Sequence, residues 1–185
     1  METPDEIVKM TRDWLEKAVI GLNLCPFAKA IQNKVRYVVS QAESPEDLLA
    51  DLVDELRLLA EVDPGEVETT LLIHPGVLTD FLDYNDFLGV AEMAVENMGL
   101  DGEIQVASFH PRYQFEGTGP DDIENYTNRS PYPTLHLLRE ASVDLAVEAF
   151  PDAAEIYEKN IETMRRLGIE GWERLGIGKP RKKDS

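Results

Sequence analysis

Glu68-Thr69-Thr70-Leu71-Leu72-Ile73-His74 (ETTLLIH) is a short run of β-branched and aliphatic residues. Pro64-Gly65 stands before it and Pro75-Gly76 after it, so it reads as a strand bounded by turns. Working outward, Ser44-Pro45-Glu46-Asp47 opens a helix. Its apolar positions Leu48, Leu49, Leu52, Val53, Leu56 and Leu59 recur at helical spacing. Before that helix, Val35 to Ser40 (VRYVVS) reads as another strand. On the other side, Asp86 to Met98 has helical spacing closed by Gly99, and Glu103 to Phe109 (EIQVASF) reads as a third strand. Strand, helix, strand, helix, strand favours parallel pairing through right-handed crossovers. The expected fold is therefore α/β, with a small three-stranded, mainly parallel sheet flanked by helices.

The ends of the chain read as helix. Thr3, Pro4 and Glu6 form a capping signature, and Ile7, Trp14, Leu15, Ala18 and Leu22 follow on one face. Cys25-Pro26 interrupts this helix, and a second short one is expected from Pro26. From Pro133 onward helix is expected again, with Leu135, Leu138, Ser142, Leu145 and Ala149 on one face. A further helix opens at Pro151, places Ile156, Asn160, Ile161, Met164 and Leu167 inward, and closes at Gly168. A short helical piece surrounds Trp172. One domain is expected over residues 1–178, with 179–185 a disordered polar tail.

The 185 residues carry a formal net charge of −18 and are 43% hydrophobic. That composition supports a sizeable core, since a domain of this length buries roughly 70% of its unfolded surface. The acidic charge argues against nucleic acid or an anionic membrane as partner, because binding phosphates requires basic groups. Between Glu43 and Glu68 there are ten acidic residues and one arginine, the pattern of a solvated helix face. The single cysteine, the acidic N-terminus and the lack of a long apolar run point to a cytoplasmic protein.

Residues 112–132 break the periodic pattern. Such a long stretch without periodicity is either a functional loop or disorder. Its Tyr113, Phe115, Tyr126 and Tyr132 favour an ordered loop, so the functional site is expected between Phe109 and Glu140. His74-Pro75 and His110-Pro111 end the second and third strands, which places both histidines at the carboxyl edge of a parallel sheet, where ligands bind. His136 and Glu140 are four apart at an expected helix start, one turn apart on one face. They suit acid–base work or metal binding; the competing reading is a surface salt link. Arg129 and Arg139 are forks suited to a carboxylate or phosphate, or to a structural ion pair with the many acids. Asn128 and Tyr113 join them as candidate substrate-binding residues. Cys25 precedes an expected helix N-terminus and is a candidate nucleophile, or else a small buried hydrophobe.

Phosphate-binding glycine loops, paired-cysteine zinc sites and the GxSxG elbow are missing, and no cofactor is identified. No standard metal spacing occurs, so a metal-free site is expected; His110, His136, Glu140 and Cys25 would be the ligands of any metal.

The blocks GLNLCPFAK (21–29), ETTLLIHP (68–75), QVASFHPRYQFEGT (105–118) and NRSPYPTLHLLRE (128–140) resemble an uncharacterised bacterial domain-of-unknown-function family. The resemblance runs to about Trp172 and implies no particular activity. Three readings follow from the residues. The first is an enzyme, a hydrolase or transferase with His/Cys chemistry, acting on an anionic small molecule. The second is a non-catalytic module binding an anion or a protein. The third makes the long loop a structural clasp. Reaction, substrate and oligomeric state are not encoded legibly.

Overall fold

Thr3 begins the fold by satisfying the first turn of α1 (Pro4–Trp14): its hydroxyl accepts the Glu6 N–H at 3.3 Å, and Glu6 accepts the Thr3 N–H at 2.8 Å. These reciprocal bonds are the expected capping box. The computed structural model describes residues 1–149 and 153–177. The expected helix start at Pro151 and the polar tail at 179–185 lie outside the described residues.

α1 continues into one wider helical segment, Leu15–Ile20. Gly21 closes it because a Cβ there would stand 2.3 Å from the Lys17 carbonyl oxygen. α2 (Ala28–Ile31) follows, two residues later than Pro26 suggests. Then come β1 (Val35–Val39), α3 (Pro45–Glu61) and β2 (Thr69–Ile73). Ser44 caps α3 by accepting the Asp47 N–H at 3.2 Å. α4 (Phe81–Asn97) starts five residues before the expected Asp86, because Asp80 accepts the N–H groups of Leu82 and Asp83. β3 (Ile104–Phe109) completes the expected alternation of strand and helix.

The expected sheet needs correction. It has four strands in the order β1-β2-β4-β3, with β4 formed by Thr134–Arg139. β1 pairs parallel with β2, while β4 runs antiparallel to both β2 and β3. β1, β2 and β3 thus share one direction, as expected, but β4 inserts between β2 and β3 and makes the sheet mixed. Over residues 134–139 a strand replaces the helix that the sequence predicts. Leu135, Leu137 and Leu138 lie close together because a central strand is covered on both faces and loses its alternation. α5 (Glu140–Ala149) and α6 (Ala153–Arg174) then follow, the latter broken at Gly168, whose φ of 65° no helix accommodates.

Helices cover both faces of the sheet. On one face Leu48, Leu52, Leu56 and Leu59 of α3 and Phe87, Ala91 and Val95 of α4 pack with Leu72, Leu135 and Leu137. Each such leucine contributes about 1.5–3 kcal/mol by leaving water. On the other face Ile7 packs with Leu71, Ile73 and Tyr132, and Trp14 meets Phe109 edge-on at 5.0 Å. No described helix is long and apolar enough to cross a membrane.

Candidate functional site

Because β2 and β3 run in the same direction, His74 and His110 emerge at the same sheet edge, and both are fully buried. The His74 N–H bonds to Pro133 O at 3.0 Å and the His110 N–H to Asn128 O at 3.1 Å. Backbone groups then fix both rings. His74 Nδ1 donates to Val77 O at 2.9 Å, while its Nε2 finds no hydrogen-bond partner among the described residues. His110 Nδ1 accepts the Arg112 N–H at 3.0 Å, leaving Nε2 to donate to Leu78 O at 3.1 Å. Burial pushes His74 down to about 4 and lowers His110, so both imidazoles are neutral near pH 7. The Leu78 backbone, at a φ of 56°, is the strained turn that His110 holds.

Tyr84 of α4 stands between the two histidines, with ring centroids 5.8 Å from His74 and 5.0 Å from His110. Its hydroxyl donates to Thr134 O at 2.7 Å and accepts the Phe109 N–H at 3.0 Å. It thereby bridges the end of β3 to the start of β4.

The long loop is ordered by its own polar groups. Buried Asn125 accepts the Phe115 N–H at 2.9 Å and donates to Gly119 O at 2.7 Å. Arg129 donates from Nε to Tyr113 O at 3.0 Å and from Nη2 to Pro120 O at 2.6 Å, and its guanidinium lies 4.3 Å from the Tyr126 ring centroid. Asn128 donates to Ser108 O at 3.0 Å. Tyr113 accepts from Ser108 Oγ at 3.2 Å and packs its ring 5.1 Å from Phe81. Arg129→Met is expected to destabilise the protein by about 2–3 kcal/mol, since two charge-assisted bonds and a stacked ring are lost. Urea denaturation checks it. A loss below about 0.5 kcal/mol, the usual range for a surface substitution, would show that the guanidinium is not a clasp.

Between the carboxyl end of β3, this loop and α6 lies a cleft of about 350 Å³. Val19, Leu24, Phe109, Phe115 and Ile161 give it apolar walls. Cys25, Glu116, Glu124, Asn128, Tyr157 and Asn160 add polar groups. Cys25 is exposed and, with α2 beginning only at Ala28, does not stand at the expected helix start. Asn160 Nδ2 donates to Leu24 O at 2.9 Å, which ties α6 to the segment carrying the thiol.

The remaining expected residues are elsewhere. His136 sits in the middle of β4, paired with Leu71 and Ala107, and not at a helix start. The one-turn His136–Glu140 face is therefore not formed, because strand geometry replaces the helix over these residues. His136 Nε2 donates to Thr69 Oγ1 at 2.6 Å, and that hydroxyl donates to Leu137 O at 2.7 Å. Burial lowers His136 to about 4. Its ring centroid is 5.9 Å from that of Phe109, so one ring separates it from the cleft wall. Arg139 ends β4, roughly 17 Å from its start at about 3.4 Å per residue, and Glu140 follows it. Arg139 donates to Val62 O at 3.0 Å and Val67 O at 2.9 Å, clamping the connection from α3 to β2.

The expected set is thus divided. His110, Tyr113, Asn128 and Arg129 gather at the carboxyl edge; Cys25 and Asn128 meet in the cleft; His136 is inside the sheet; Arg139 and Glu140 are at the opposite edge. Of the described residues lining the cleft, none is histidine or arginine. No group of three or more His, Cys, Asp and Glu among the described residues could hold a metal ion. Sequence reading did not assign Glu116, Glu124, Tyr157 and Asn160 to the site. Asn160 left a signal, as a polar residue on the otherwise apolar inward face of a charged helix.

No curated protein and no solved structure matches this chain. Residues 6–174 match the family model described as protein of unknown function (DUF1415), and the chain belongs to that family.

Proposed function

We propose that the protein binds a small molecule in the cleft between β3, the long loop and α6, and that Cys25 is the group there available for covalent chemistry. The observation that carries this reading is the cleft itself: about 350 Å³, apolar walls, and a few convergent polar groups at the carboxyl end of a strand. Small-molecule sites have this makeup, with apolar surface supplying affinity and polar groups supplying orientation. The exposed thiol is the strongest nucleophile lining it. His110 and His136 do not reach the cleft. Their bonds to Leu78, Arg112 and Thr69 support a structural role for them, and the contacts of Arg129 and Arg139 support clasps.

Filling the cleft tests the reading. Ile161→Trp places an indole where the ligand would lie. Small molecules that raise the melting temperature of the wild-type protein are expected to lose that effect in the variant. Cys25→Ser is expected to keep binding while abolishing any turnover. Ligands that stabilise wild type and Ile161→Trp equally would place the site elsewhere.

A further inference from the structure

Resting on that reading of the cleft, we infer that its ligand presents a positively charged amine, received by Glu116 and by oxygen acceptors beside it. Two observations on different groups lead there. The first is charge. Glu116 and Glu124 both line the cleft, and no lysine or arginine among the described residues does. Glu124 is already neutralised by Arg165, whose Nε lies 2.8 Å from its Oε1. Glu116 is exposed and forms no ion pair among the described residues. One unpaired carboxylate at the cleft favours a monocation and opposes an anion, and the chain's net charge of −18 acts in the same sense.

The second observation is the state of the polar groups. The threonine hydrogens and one on each asparagine are spent on the protein itself; the second amide hydrogens, the Tyr157 hydroxyl and the Cys25 thiol form no hydrogen bond to the described residues. The Thr118 hydroxyl donates to Phe115 O at 2.7 Å, and the Thr127 hydroxyl to Glu124 O at 3.1 Å. Asn160 and Asn128 each donate an amide hydrogen to a backbone carbonyl, Leu24 O and Ser108 O. Hydroxyl and amide oxygens keep lone pairs, so the lining is poorer in donors than in acceptors. An ammonium group, with three donors and no acceptor, complements such a lining better than a carboxylate or phosphate, which would compete for the asparagine and tyrosine hydrogens alone while facing the Glu116 carboxylate. Phe109, Phe115 and Tyr157 supply aromatic surface, which buries an apolar group attached to the amine. The anion expected from Arg129 and Arg139 has no counterpart here, because both guanidinium groups are bonded to backbone carbonyls outside the cleft.

The test uses three probes of similar size: phenethylamine, 2-phenylethanol and 3-phenylpropionate. Their affinities for the full chain are measured by titration calorimetry near neutral pH, with wild type, Glu116→Gln and Ile161→Trp. The amine is expected to bind about tenfold more tightly than the carboxylate, and added salt is expected to weaken it. Glu116→Gln is expected to lower amine affinity about tenfold and to leave the alcohol unchanged. Equal or tighter carboxylate binding, or an amine indifferent to Glu116→Gln, would overturn the inference. If Ile161→Trp still abolished binding in that case, the cleft would stand as the site and only the charge preference would fall. Amine binding unaffected by Ile161→Trp, or no amine binding at millimolar concentration, counts against the cleft and the cation together.

Discussion

Taking the protein from about pH 7 to about pH 5 is expected to remove roughly 4 kcal/mol of folding stability through His74 and His136 alone. In the folded chain burial holds both rings neutral down to about 4. In the unfolded chain they return to an ordinary value near 6.5. Between those values the unfolded state binds more protons, so stability is fully present above about 6.5 and is lost as pH falls toward 4. At about 1.4 kcal/mol per unit, each ring accounts for about 2 kcal/mol by pH 5 and about 3 kcal/mol once the folded value is passed. His110 shifts the same way and adds to the loss. Urea titrations at the two pH values check the effect. His136→Asn is expected to shrink the pH-dependent loss by about 2 kcal/mol, whatever its own stability. Equal losses in variant and wild type would mean that His136 is not held neutral by burial.

Tyr84→Phe is expected to cost about 3 kcal/mol, although it deletes a single oxygen. The hydroxyl is the partner of two backbone groups, the half-buried Phe109 N–H and the buried Thr134 O. Leaving either without a partner costs about 1–3 kcal/mol. The strands would have to close over the vacated oxygen to recover that loss, and the side chains packed around this end of the sheet oppose the movement. The expected readout is a lowered denaturation midpoint with unchanged slope, together with faster hydrogen exchange at the Phe109 amide. A cost under about 1 kcal/mol would show that β3 and β4 make the bond directly once the hydroxyl is gone.

What could be read from the sequence follows from how local each signal is. Thr3 with Glu6, and Ser44 with Asp47, encode helix starts within four residues, and both caps form. The three strands VRYVV, TTLLI and IQVASF are also local, and their common direction follows from the helices between them. β4 was not legible because its apolar residues answer to neighbours far away in the chain. Leu135 packs with the α3 and α4 side chains, while His136 answers to Thr69 and Phe109 on the opposite face. Mistaking this strand for helix also joined His136 to Glu140 in an arrangement that β4 does not form. In the long loop the aromatic residues correctly signalled order. For Arg129 the sequence leaves ligand fork and structural clasp open, because a guanidinium bonded to carbonyl oxygens has the same sequence as one that holds an anion. The cleft depends on α6 meeting the loop, and the sequence carries no local mark of that meeting apart from Asn160.

The antiparallel strand placed between two strands of common direction also bears on the expected order of assembly. β1, α3 and β2 form a nearly contiguous unit that can assemble as soon as those residues are available. β3 has no such companion, because its one strand neighbour among the described residues, β4, comes after it in the chain. β2 meets the same strand across separations from 61 residues, Ile73 with Thr134, to 69, Thr69 with Leu138. Closing such distant pairs is entropically slow, so the β2–β4 pairing is expected to follow assembly of the β1-α3-β2 unit. Until then the bare edges of β2 and β3 are templates for any passing chain. The abundant acid between Glu43 and Glu68, set beside that gap along the chain, gives nascent copies a mutual repulsion during this interval.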